Sequence, residues 1–398
     1  MAPAASTASV GSCELPAVGE DFRFVAPEQM DLDPVRVRTA VDYAGATGAL
    51  SYRVYRHGCL VADGGLSPAM SGEPMFAFSM TKSVVSLVVG RAVTLGALGL
   101  DDPVGPYLRK AGYPVDDVKG ALTVRHFLTQ TTGIRMPIVQ DFLEAVSTDS
   151  VAALLQRPFE AVPGSTFIYA QTTLNALTRI VEGAVGRDFQ DFARAELFAP
   201  IGIGDREWVW QRDPAGTTQG FAMLDIAPRA MARLGMLAGS GGRWSGTQLV
   251  DPSYLEAAQQ GSASNPCYGF LVRTNRSDRC GNDGIPVFEV DDERLIPPAP
   301  SDTFAFSGAF DQETYVIPSL DMVVVRMGPP SAFALDPLGG AGDLFSPAWK
   351  YRSMQLLMTA VRDVPQPAVP DWTPPPPSEG LDLARLLPLP LPEPWPAG

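Results

Sequence analysis

Two stretches with the pattern of a β-hairpin lie near opposite ends of the chain. In the first, LSYRVYRHGCLVADGGLS, apolar and polar residues alternate around turn residues at His57-Gly58 and Asp63-Gly64-Gly65. In the second, TYVIPSLDMVVVRMG, a turn from Pro318 to Asp321 precedes a strongly apolar strand from Met322 to Met327. Strands from both ends of the chain predict one sheet that is built from distant segments, with the intervening residues packed against it.

The residues between these hairpins are patterned mostly as helices, each ending at glycine or proline. The clearest segments are SVAALLQRPF, TTLNALTRIVEGAVG, FQDFARAELFAPIG and APRAMARLGMLAGSGG. We therefore predict an α/β (α+β) fold, in which an antiparallel sheet from both chain ends is flanked by helices. The predicted units are a sheet domain, residues 22–75 together with 267–362, and a mostly helical inserted domain, residues 76–266.

The segment from residue 363 to residue 398 differs in composition from the rest of the chain. It contains TPPPPSEG and LLPLPLPEPWPAG, and proline has no N–H to donate inside a helix or a sheet. We predict that this segment is an extended strap on the surface of the body. A ligand for an SH3-type domain is the alternative interpretation.

The charge balance argues against two classes of partner. Of the 398 residues, 45% are hydrophobic and 19% are charged, which is typical of a globular protein. The net charge of -14 argues against binding to nucleic acid or to an anionic membrane surface. The longest apolar stretch begins at Val84 and meets Arg91, too soon for a membrane-spanning helix. We therefore expect a small-molecule substrate and no nucleic-acid or membrane partner.

The four cysteines, Cys13, Cys59, Cys267 and Cys280, have no C-x-x-C spacing, so a zinc knuckle is not expected. Cys267 and Cys280 lie close together in a polar loop, where a disulfide would suit an exported protein; free buried thiols are the alternative. The opening residues, MAPAASTASVGSCELPAVGE, lack the apolar core of a signal peptide. We expect a secreted or periplasmic location for a mature chain, with the cytoplasm as the alternative.

The segment FSMTKSVVSLVVG contains a serine and a lysine three residues apart at the start of an apolar stretch. Positions i and i+3 share a helix face, so Ser79 Oγ and Lys82 Nζ can meet there. The chain has only four lysines, and Lys82 alone of them lies inside an apolar segment. Burial would lower the pKa of Lys82 and make its amine a usable base near neutral pH.

Other common catalytic groups are scarce. The chain has two histidines, His57 and His126, and no G-x-S-x-G sequence, so a Ser-His-Asp triad is not expected. It has no H-E-x-x-H and no G-x-x-x-x-G-K-[ST] sequence either, and we expect no metal and no cofactor. A serine that is activated without histidine needs a second proton carrier. Tyr169, which follows a Pro-Gly turn and precedes a well-patterned helix, is the candidate.

The order of several motifs resembles that of the serine β-lactamase-like superfamily, which includes class C β-lactamases, family VIII carboxylesterases and 6-aminohexanoate-dimer hydrolases. FSMTKSVVSLVVG is similar to the family's nucleophile helix with its S-x-x-K sequence. The segment that follows this helix in the family resembles LTVRHFLTQTTGI. The family's tyrosine-bearing stretch resembles PGSTFIYA, and the strands that border its active site resemble FSGAFDQETYVIPSLDMVVVRMG. The likeness covers residues 22–360 and implies a β-lactamase/transpeptidase-like fold.

The resemblance also implies roles for individual residues. Ser79 would be the acylated nucleophile, Lys82 its activator and Tyr169 the proton shuttle to the leaving group. The oxyanion hole would consist of the backbone amides of Ser79 and Ala309. Acylation of the serine and hydrolysis of the acyl-enzyme would use the same groups in reverse order.

The chain departs from the family pattern at three places. Phe306-Ser307-Gly308-Ala309 stands where β-lactamases and DD-peptidases have K-T-G or H-x-G, and Tyr169-Ala170-Gln171 replaces Y-x-N. Both changes argue against a β-lactam substrate. Asp311 occupies a position where many relatives have glycine, which is acceptable because aspartate adopts positive φ more easily than most residues.

Loops over the mouth of the implied cleft are aromatic rather than charged. The expected substrate-binding residues are Phe142, Trp210, Phe221, Gln171, Gly308, Phe310 and Asp311, with Phe306 on the edge strand. We predict a serine hydrolase that acts on carboxylic esters or linear amides and prefers uncharged acyl groups. The alternatives are a β-lactamase or DD-peptidase, and a non-catalytic binding module that uses the same cleft without turnover.

Overall fold

The computed structural model describes residues 11–281, 290–291, 294–328 and 348–365. Its strands are β1 Ser51–Arg56, β2 Cys59–Gly65, β3 Met75–Phe76, β4 Trp208–Trp210, β5 Leu224–Ile226, β6 Arg243–Trp244, β7 Thr247–Gln248, β8 Arg273–Thr274, β9 Cys280–Gly281, β10 Val290–Asp291, β11 Phe304–Gly308, β12 Gln312–Ile317 and β13 Met322–Met327. Its α-helices are α1 Pro34–Ala46, α2 Ser67–Met70, α3 Met80–Thr94, α4 Gly105–Lys110, α5 Asp117–Gly120, α6 Val124–Leu128, α7 Ile138–Ser147, α8 Ser150–Gln156, α9 Thr172–Val185, α10 Phe189–Ala193, α11 Pro228–Gly239, α12 Pro252–Ala258 and α13 Ala348–Met358.

The main sheet has six antiparallel strands in the order β2-β1-β13-β12-β11-β8. Strand β1 from the start of the chain pairs along its whole length with β13, from Ser51 opposite Met327 to Arg56 opposite Met322. The predicted sheet from distant segments is therefore present, and the turn from Pro318 to Asp321 connects β12 and β13 as predicted. A smaller sheet, β3-β5-β4, lies within the mostly helical part of the chain.

One predicted turn is wrong. His57-Gly58 connects β1 to β2 as expected, but Asp63-Gly64-Gly65 is the end of strand β2. A Cβ on Gly64 would collide with the Val41 side chain of helix α1, and one on Gly65 would collide with the carbonyl of Ala49. These glycines therefore allow the backbone of β2 to approach its neighbours closely. In the sequence, glycines needed for such an approach look the same as glycines needed for a turn.

The predicted helices are present, with one difference. Helix α9 ends at Gly186 in the left-handed conformation, and helix α11 follows its predicted segment. The segment FQDFARAELFAPIG instead divides into α10, a π-helical turn from Arg194 to Phe198 and a short 3-10 helix. Pro200 has no N–H and its ring clashes with a carbonyl one turn back, so α-helical winding cannot continue through it.

The sheet is covered on both faces. On one face α1 packs against α13 and β2, and on the other α11 packs against β12 and β13. Helix α3 lies inside the larger hydrophobic cluster, and every residue from Met80 to Gly90 is buried. A helix that is buried on all sides must place any polar side chain against another protein group. No helix within the described ranges has the length and apolar character that a membrane span requires.

The structure joins Cys267 to Cys280, as predicted, and also joins Cys13 to Cys59. The second bridge ties the segment before the first strand to the β1–β2 hairpin. The Pro-rich strap predicted for residues 363–398 lies almost entirely outside the described residues.

Both bridges lead to a direct chemical test. Titration of the purified, unreduced protein with a thiol reagent in denaturant should find no free thiols, and titration after reduction should find all four cysteines. Four thiols before reduction would contradict the disulfides and would favour a cytoplasmic location. Two thiols before reduction would mean that one of the two bridges is present, and peptide mapping would then show which pair is linked.

Candidate active site

Ser79 stands at the N-terminus of helix α3, where its backbone nitrogen lies close to Gly308 at the end of strand β11. The residue before it, Phe78, has φ of 46°, a conformation that is strained for a bulky side chain. This bend turns the chain from the small sheet directly into the helix. The N-terminal end of the α3 dipole therefore lies at Ser79, where it favours negative charge.

Lys82 lies one helical turn further on and is 1% exposed. Its Nζ donates hydrogen bonds to Ser79 Oγ at 3.2 Å, Gln171 Oε1 at 2.8 Å and the carbonyl of Phe221 at 2.8 Å. All three acceptors are uncharged. Burial lowers the pKa of Lys82, although the nearby Tyr169 and Asp141 partly oppose this shift. The predicted contact between serine and lysine is therefore present, with the lysine amine desolvated.

Tyr169 completes a three-residue group with Ser79 and Lys82. The ring centroid of Tyr169 is 4.6 Å from Lys82 Nζ. Burial alone would raise the pKa of Tyr169, but the positive charges of Lys82 and Arg273 and a hydrogen bond with Ser79 bring this pKa below its usual value. The hydroxyl of Tyr169 therefore lies within reach of both the nucleophile and its base.

The backbone around Tyr169 is fixed by Gln130, a buried residue with φ of 55°. Its backbone carbonyl accepts from the amide of Ile168 at 2.9 Å, and its side-chain oxygen accepts from the amide of Ala170 at 2.5 Å. Its side-chain amide donates to the hydroxyl of Tyr268 at 3.1 Å. The amides on both sides of Tyr169 are thus held by one side chain and its backbone.

Asp141 from helix α7 holds the other end of the same segment. Helix α9 has no side-chain cap of its own, and the Asp141 carboxylate accepts from the amides of Gln171 at 2.5 Å and Thr172 at 3.3 Å. It also accepts from Thr172 Oγ1 at 2.5 Å and forms a buried ion pair with Arg157 at 2.8 Å. A carboxylate from another helix therefore performs the capping function that an N-cap residue normally provides.

The candidate oxyanion hole lies between α3 and the end of β11. A Cβ on Gly308 would be 2.6 Å from the Ala77 carbonyl and 3.1 Å from the Ser79 amide nitrogen, so the two backbones are in close contact. Ala309 follows directly and is partly exposed. The hairpin then turns through Phe310 and Asp311, both with positive φ. The positive φ predicted for Asp311 is confirmed.

Two groups of aromatic rings include residues next to the candidate catalytic groups. The ring of Phe78 packs edge-on against Phe76 at 4.3 Å and against Phe310 at 4.8 Å. Separately, Phe142 packs edge-on against Phe221 at 5.8 Å. Phe78 was not among the residues that sequence reasoning selected, and its only local signal is its position next to Ser79.

Several predicted substrate-binding residues have other surroundings. Trp210 is buried in the core, edge-on to Phe189 and stacked on Phe198. Phe306 is 1% exposed and Phe221 is 0% exposed, which makes both of them core residues instead of cleft walls. The structure therefore contradicts a pocket role for all three residues, because none of them presents a surface to a ligand.

The polar candidates are also engaged. The side-chain oxygen of Gln171 accepts from Lys82, so Gln171 supports the base. Asp311 is 6% exposed and its backbone carbonyl accepts from Arg326, which is itself fully buried. A substrate amine cannot reach a carboxylate in that position. Arg273, which is partly exposed, is a positive group that acts electrostatically on Tyr169.

The comparisons with known proteins agree on the fold. A model of the beta-lactamase family matches residues 37–328. Monacolin J acid methylbutanoyltransferase of Aspergillus terreus is 26% identical over 171 residues, 37% of this chain and 41% of that protein. Esterase EstB of Burkholderia gladioli is 27% identical over 169 residues, 38% of this chain and 43% of that protein. The chain thus aligns with about two fifths of the length of these curated relatives.

A solved structure extends the likeness to most of the chain. A Bacillus anthracis protein, provisionally named a 6-aminohexanoate-dimer hydrolase, superposes with a TM-score of 0.63. The match covers 89% of this chain and 91% of that protein, at 14% sequence identity. At this identity the likeness concerns the fold.

Proposed function

The chain belongs to the beta-lactamase family, and on that premise we propose that it hydrolyses carboxylic esters or linear amides through an acyl-enzyme on Ser79. One observation carries the proposal. Lys82 Nζ is desolvated, lies 3.2 Å from Ser79 Oγ and is surrounded by uncharged acceptors. Such an amine has a lowered pKa and can accept the serine proton.

The catalytic cycle follows from these contacts. Neutral Lys82 removes the proton from Ser79 Oγ as that oxygen attacks the substrate carbonyl. The amides of Ser79 and Ala309 donate to the developing oxyanion, at the positive end of the α3 dipole. The tetrahedral intermediate then collapses and the bond to the leaving group breaks. The leaving group takes the proton of Tyr169, and protonated Lys82 gives Tyr169 a proton in its place. Water then attacks the acyl-enzyme with the same groups acting in reverse, which releases the acid and restores Ser79.

Neutral esters fit the site better than β-lactams. Phe306-Ser307-Gly308-Ala309, at the end of strand β11, contains no cation for a substrate carboxylate. The partly exposed ring of Phe78, next to Ser79 in the chain, packs against the partly exposed ring of Phe310. Two curated relatives are named as an esterase and as an acyl transferase, and both names describe transfer of an acyl group. A β-lactamase is the second candidate, because Arg273 near Tyr169 could pair with a substrate carboxylate.

The test compares p-nitrophenyl butyrate, nitrocefin and a linear amide oligomer with the purified protein. We expect a burst of p-nitrophenol that is stoichiometric with enzyme, and no burst from Ser79→Ala. We also expect kcat/KM for the butyrate to exceed that for nitrocefin at least tenfold, since about 1.4 kcal/mol of missing ion pairing corresponds to that factor. Faster nitrocefin turnover would favour the β-lactamase and a role for Arg273, and binding without turnover would favour a non-catalytic module.

Asp141 leads to a prediction about pH dependence. The Asp141 charge raises the pKa of Lys82, so Asp141→Asn should lower that pKa further. Because the base acts in its neutral form, the acid limb of the kcat/KM profile should move to lower pH. At the optimum, kcat should fall about tenfold, because an asparagine side chain replaces the carboxylate that holds the Gln171 and Thr172 amides.

Glu144→Gln is the matched control for Asp141→Asn. Glu144 also pairs with Arg157, at 2.6 Å, and its other carboxylate oxygen accepts from the exposed Gln140 side chain. Its carboxylate therefore acts on the same arginine without capping the catalytic segment. This variant should keep the acid limb in place. An unchanged acid limb in Asp141→Asn, or an equal shift in both variants, would contradict the positioning role of Asp141.

A further inference from the structure

The small sheet β3-β5-β4 has one buried face and one face that is partly open to solvent. Leu224 and Ile226 of strand β5 are buried, whereas Asp225 between them is partly exposed. Asp225 lies opposite Phe76 of β3 and opposite Val209 of β4. Side chains that lie directly opposite one another in antiparallel strands are on the same face. Phe76, Asp225 and Val209 therefore form one row across the outer face of this sheet.

Aromatic rings that are open to solvent continue this row to the nucleophile. The ring of Phe76 packs edge-on against that of Phe78 at 4.3 Å, and Phe78 packs edge-on against Phe310 at 4.8 Å. All three residues are partly exposed. Phe78 directly precedes Ser79, and Phe310 directly follows Ala309. A ligand that reacts at Ser79 can therefore contact these rings from the solvent side without entering the core.

The carboxylate of Asp225 has no partner of its own. It makes no hydrogen bond and no ion pair with any residue that the structure describes. Burial raises the pKa of Asp225, and no charged group opposes this shift. Burial raises the pKa of Asp63 as well, but Asp63 has Arg53 at 3.5 Å. The ionised Asp225 is therefore a partly desolvated negative charge that a cationic ligand would stabilise.

Rings beside a single carboxylate favour one kind of cation. A metal ion such as Ca²⁺ usually binds about six or more oxygen ligands, and one carboxylate between Phe76 and Val209 does not supply them. Aromatic rings instead bind organic cations. An alkylammonium group combines an apolar surface with a positive charge, so it can contact the rings and Asp225 together.

Asp225 is also within reach of an ester that reacts at Ser79. Phe76 lies three residues before Ser79, and three residues of extended chain span at most about 11 Å. The bend at Phe78 shortens this distance further. Directly opposite residues have Cβ atoms about 5 Å apart, which places Asp225 beside Phe76. A substrate with several methylenes between its ester and its ammonium group can therefore occupy both positions.

From this arrangement we infer that Asp225 and the rings of Phe76, Phe78 and Phe310 form a subsite for an alkylammonium group of the ester substrate. The inference rests on the proposed function and names a substrate class within it. Neutral esters remain substrates, because the rings also bind apolar groups. A substrate carboxylate is disfavoured, because Asp225 repels it. The ammonium group can belong to the acyl group or to the alcohol; the predicted preference for uncharged acyl groups holds in the second case.

The test compares two pairs of esters that have the same shape and differ in charge. In the first pair, the p-nitrophenyl esters of 6-(trimethylammonio)hexanoate and 7,7-dimethyloctanoate, the cation is on the acyl group. In the second pair, butyrylcholine and 3,3-dimethylbutyl butyrate, it is on the alcohol. For the wild type, kcat/KM of the cationic ester should exceed that of the neutral ester about tenfold in at least one pair. The pair that shows this ratio identifies the part of the ester that carries the ammonium group.

Asp225→Asn removes the charge and keeps the size of the side chain, so it should lower this ratio about tenfold. Asp42→Asn is the matched control, because it changes the net charge equally. Asp42 is exposed on helix α1, whose buried residues belong to the other hydrophobic cluster, and the ratio should stay unchanged. Wild-type ratios of one or less in both pairs, an unchanged ratio in Asp225→Asn, or an equal fall in Asp42→Asn would overturn the inference.

A measurement without turnover separates this inference from the proposed function. In calorimetric titrations of the wild type and Asp42→Asn, choline should bind more tightly than its neutral isostere 3,3-dimethyl-1-butanol. This difference should disappear in Asp225→Asn. Failure of the wild type to hydrolyse any ester would refute the proposed function but would leave these titrations to decide about the subsite. Equal choline binding by the wild type and Asp225→Asn would refute the subsite even if the esters are hydrolysed.

Discussion

Replacement of Lys82 by methionine is expected to lower kcat for ester hydrolysis by about 10³-fold or more, the effect of removing a general base. Lys82 Nζ is the buried amine that this role requires, and it lies 3.2 Å from Ser79 Oγ. Lys82→Arg should be equally inactive. A guanidinium keeps the positive charge but stays protonated at any workable pH, so it cannot accept the serine proton.

The pH profile of the wild type is a second test of Lys82 as the base. Lys82 acts when neutral, so activity should rise with pH through the pKa of this residue, which burial lowers from 10.5. Stopped-flow acylation kinetics of wild type, Lys82→Met and Lys82→Arg measure the step directly. Activity of Lys82→Arg within about tenfold of the wild type would rule out Lys82 as the base. Its positive charge would then be the only contribution left to it.

The histidines provide the control for this mechanism. His57 pairs with Asp321 at the exposed turn, and His126 is part of the capping box of helix α6. The double variant His57→Gln, His126→Gln should therefore keep its activity in a folded protein. A fall of more than about 10²-fold in kcat would imply a histidine base and would contradict the Lys82 and Tyr169 mechanism.

A methyl group at position 308 should lower kcat nearly as much as the replacement of Lys82. In Gly308→Ala the new Cβ would lie 2.6 Å from the Ala77 carbonyl and 3.1 Å from the Ser79 amide, and both of these are backbone atoms. Strand β11 must then move away from α3, which separates the Ser79 and Ala309 amides. Loss of one oxyanion donor typically costs about 10²- to 10³-fold in kcat, and we expect a decrease of that size.

Gly45→Ala is the control for Gly308→Ala. A Cβ at Gly45 in helix α1 would meet no atom within 4 Å, so alanine should be neutral or slightly stabilising there. Steady-state kinetics and thermal unfolding of both variants separate the two effects. A Gly308→Ala enzyme with wild-type kcat would contradict the proposed oxyanion hole.

Local signals were sufficient for the nucleophile helix and the two hairpins. An amine inside an apolar helix is unusual in itself, so Lys82 could be identified without knowledge of its partners. The β12–β13 turn could be identified because Pro318 and Asp321 are turn residues between apolar runs. In each case the signal lies within a few neighbouring residues.

Residues whose roles depend on distant contacts could not be identified in this way. Asp141 caps a helix that begins 31 residues later, and Gln130 fixes the backbone at Ala170, which is 40 residues away. Trp210 and Phe306 are apolar, and the sequence does not distinguish an aromatic core residue from an aromatic cleft wall. Burial on both sides of a strand or loop is a property of the assembled fold.

The pairing of β1 with β13 also sets the time at which this protein can fold. His57 directly follows β1 and Asp321 directly precedes β13. These two residues form a contact although they are 264 residues apart in the chain. At about 5–20 residues per second, a ribosome needs about 13–50 s to make the chain between them. Throughout that interval the β1–β2 hairpin has an open edge, with unpaired backbone groups that can bind another strand. The newly made chain is therefore most exposed to aggregation before β13 emerges, and a chaperone that covers β1 would act in that interval.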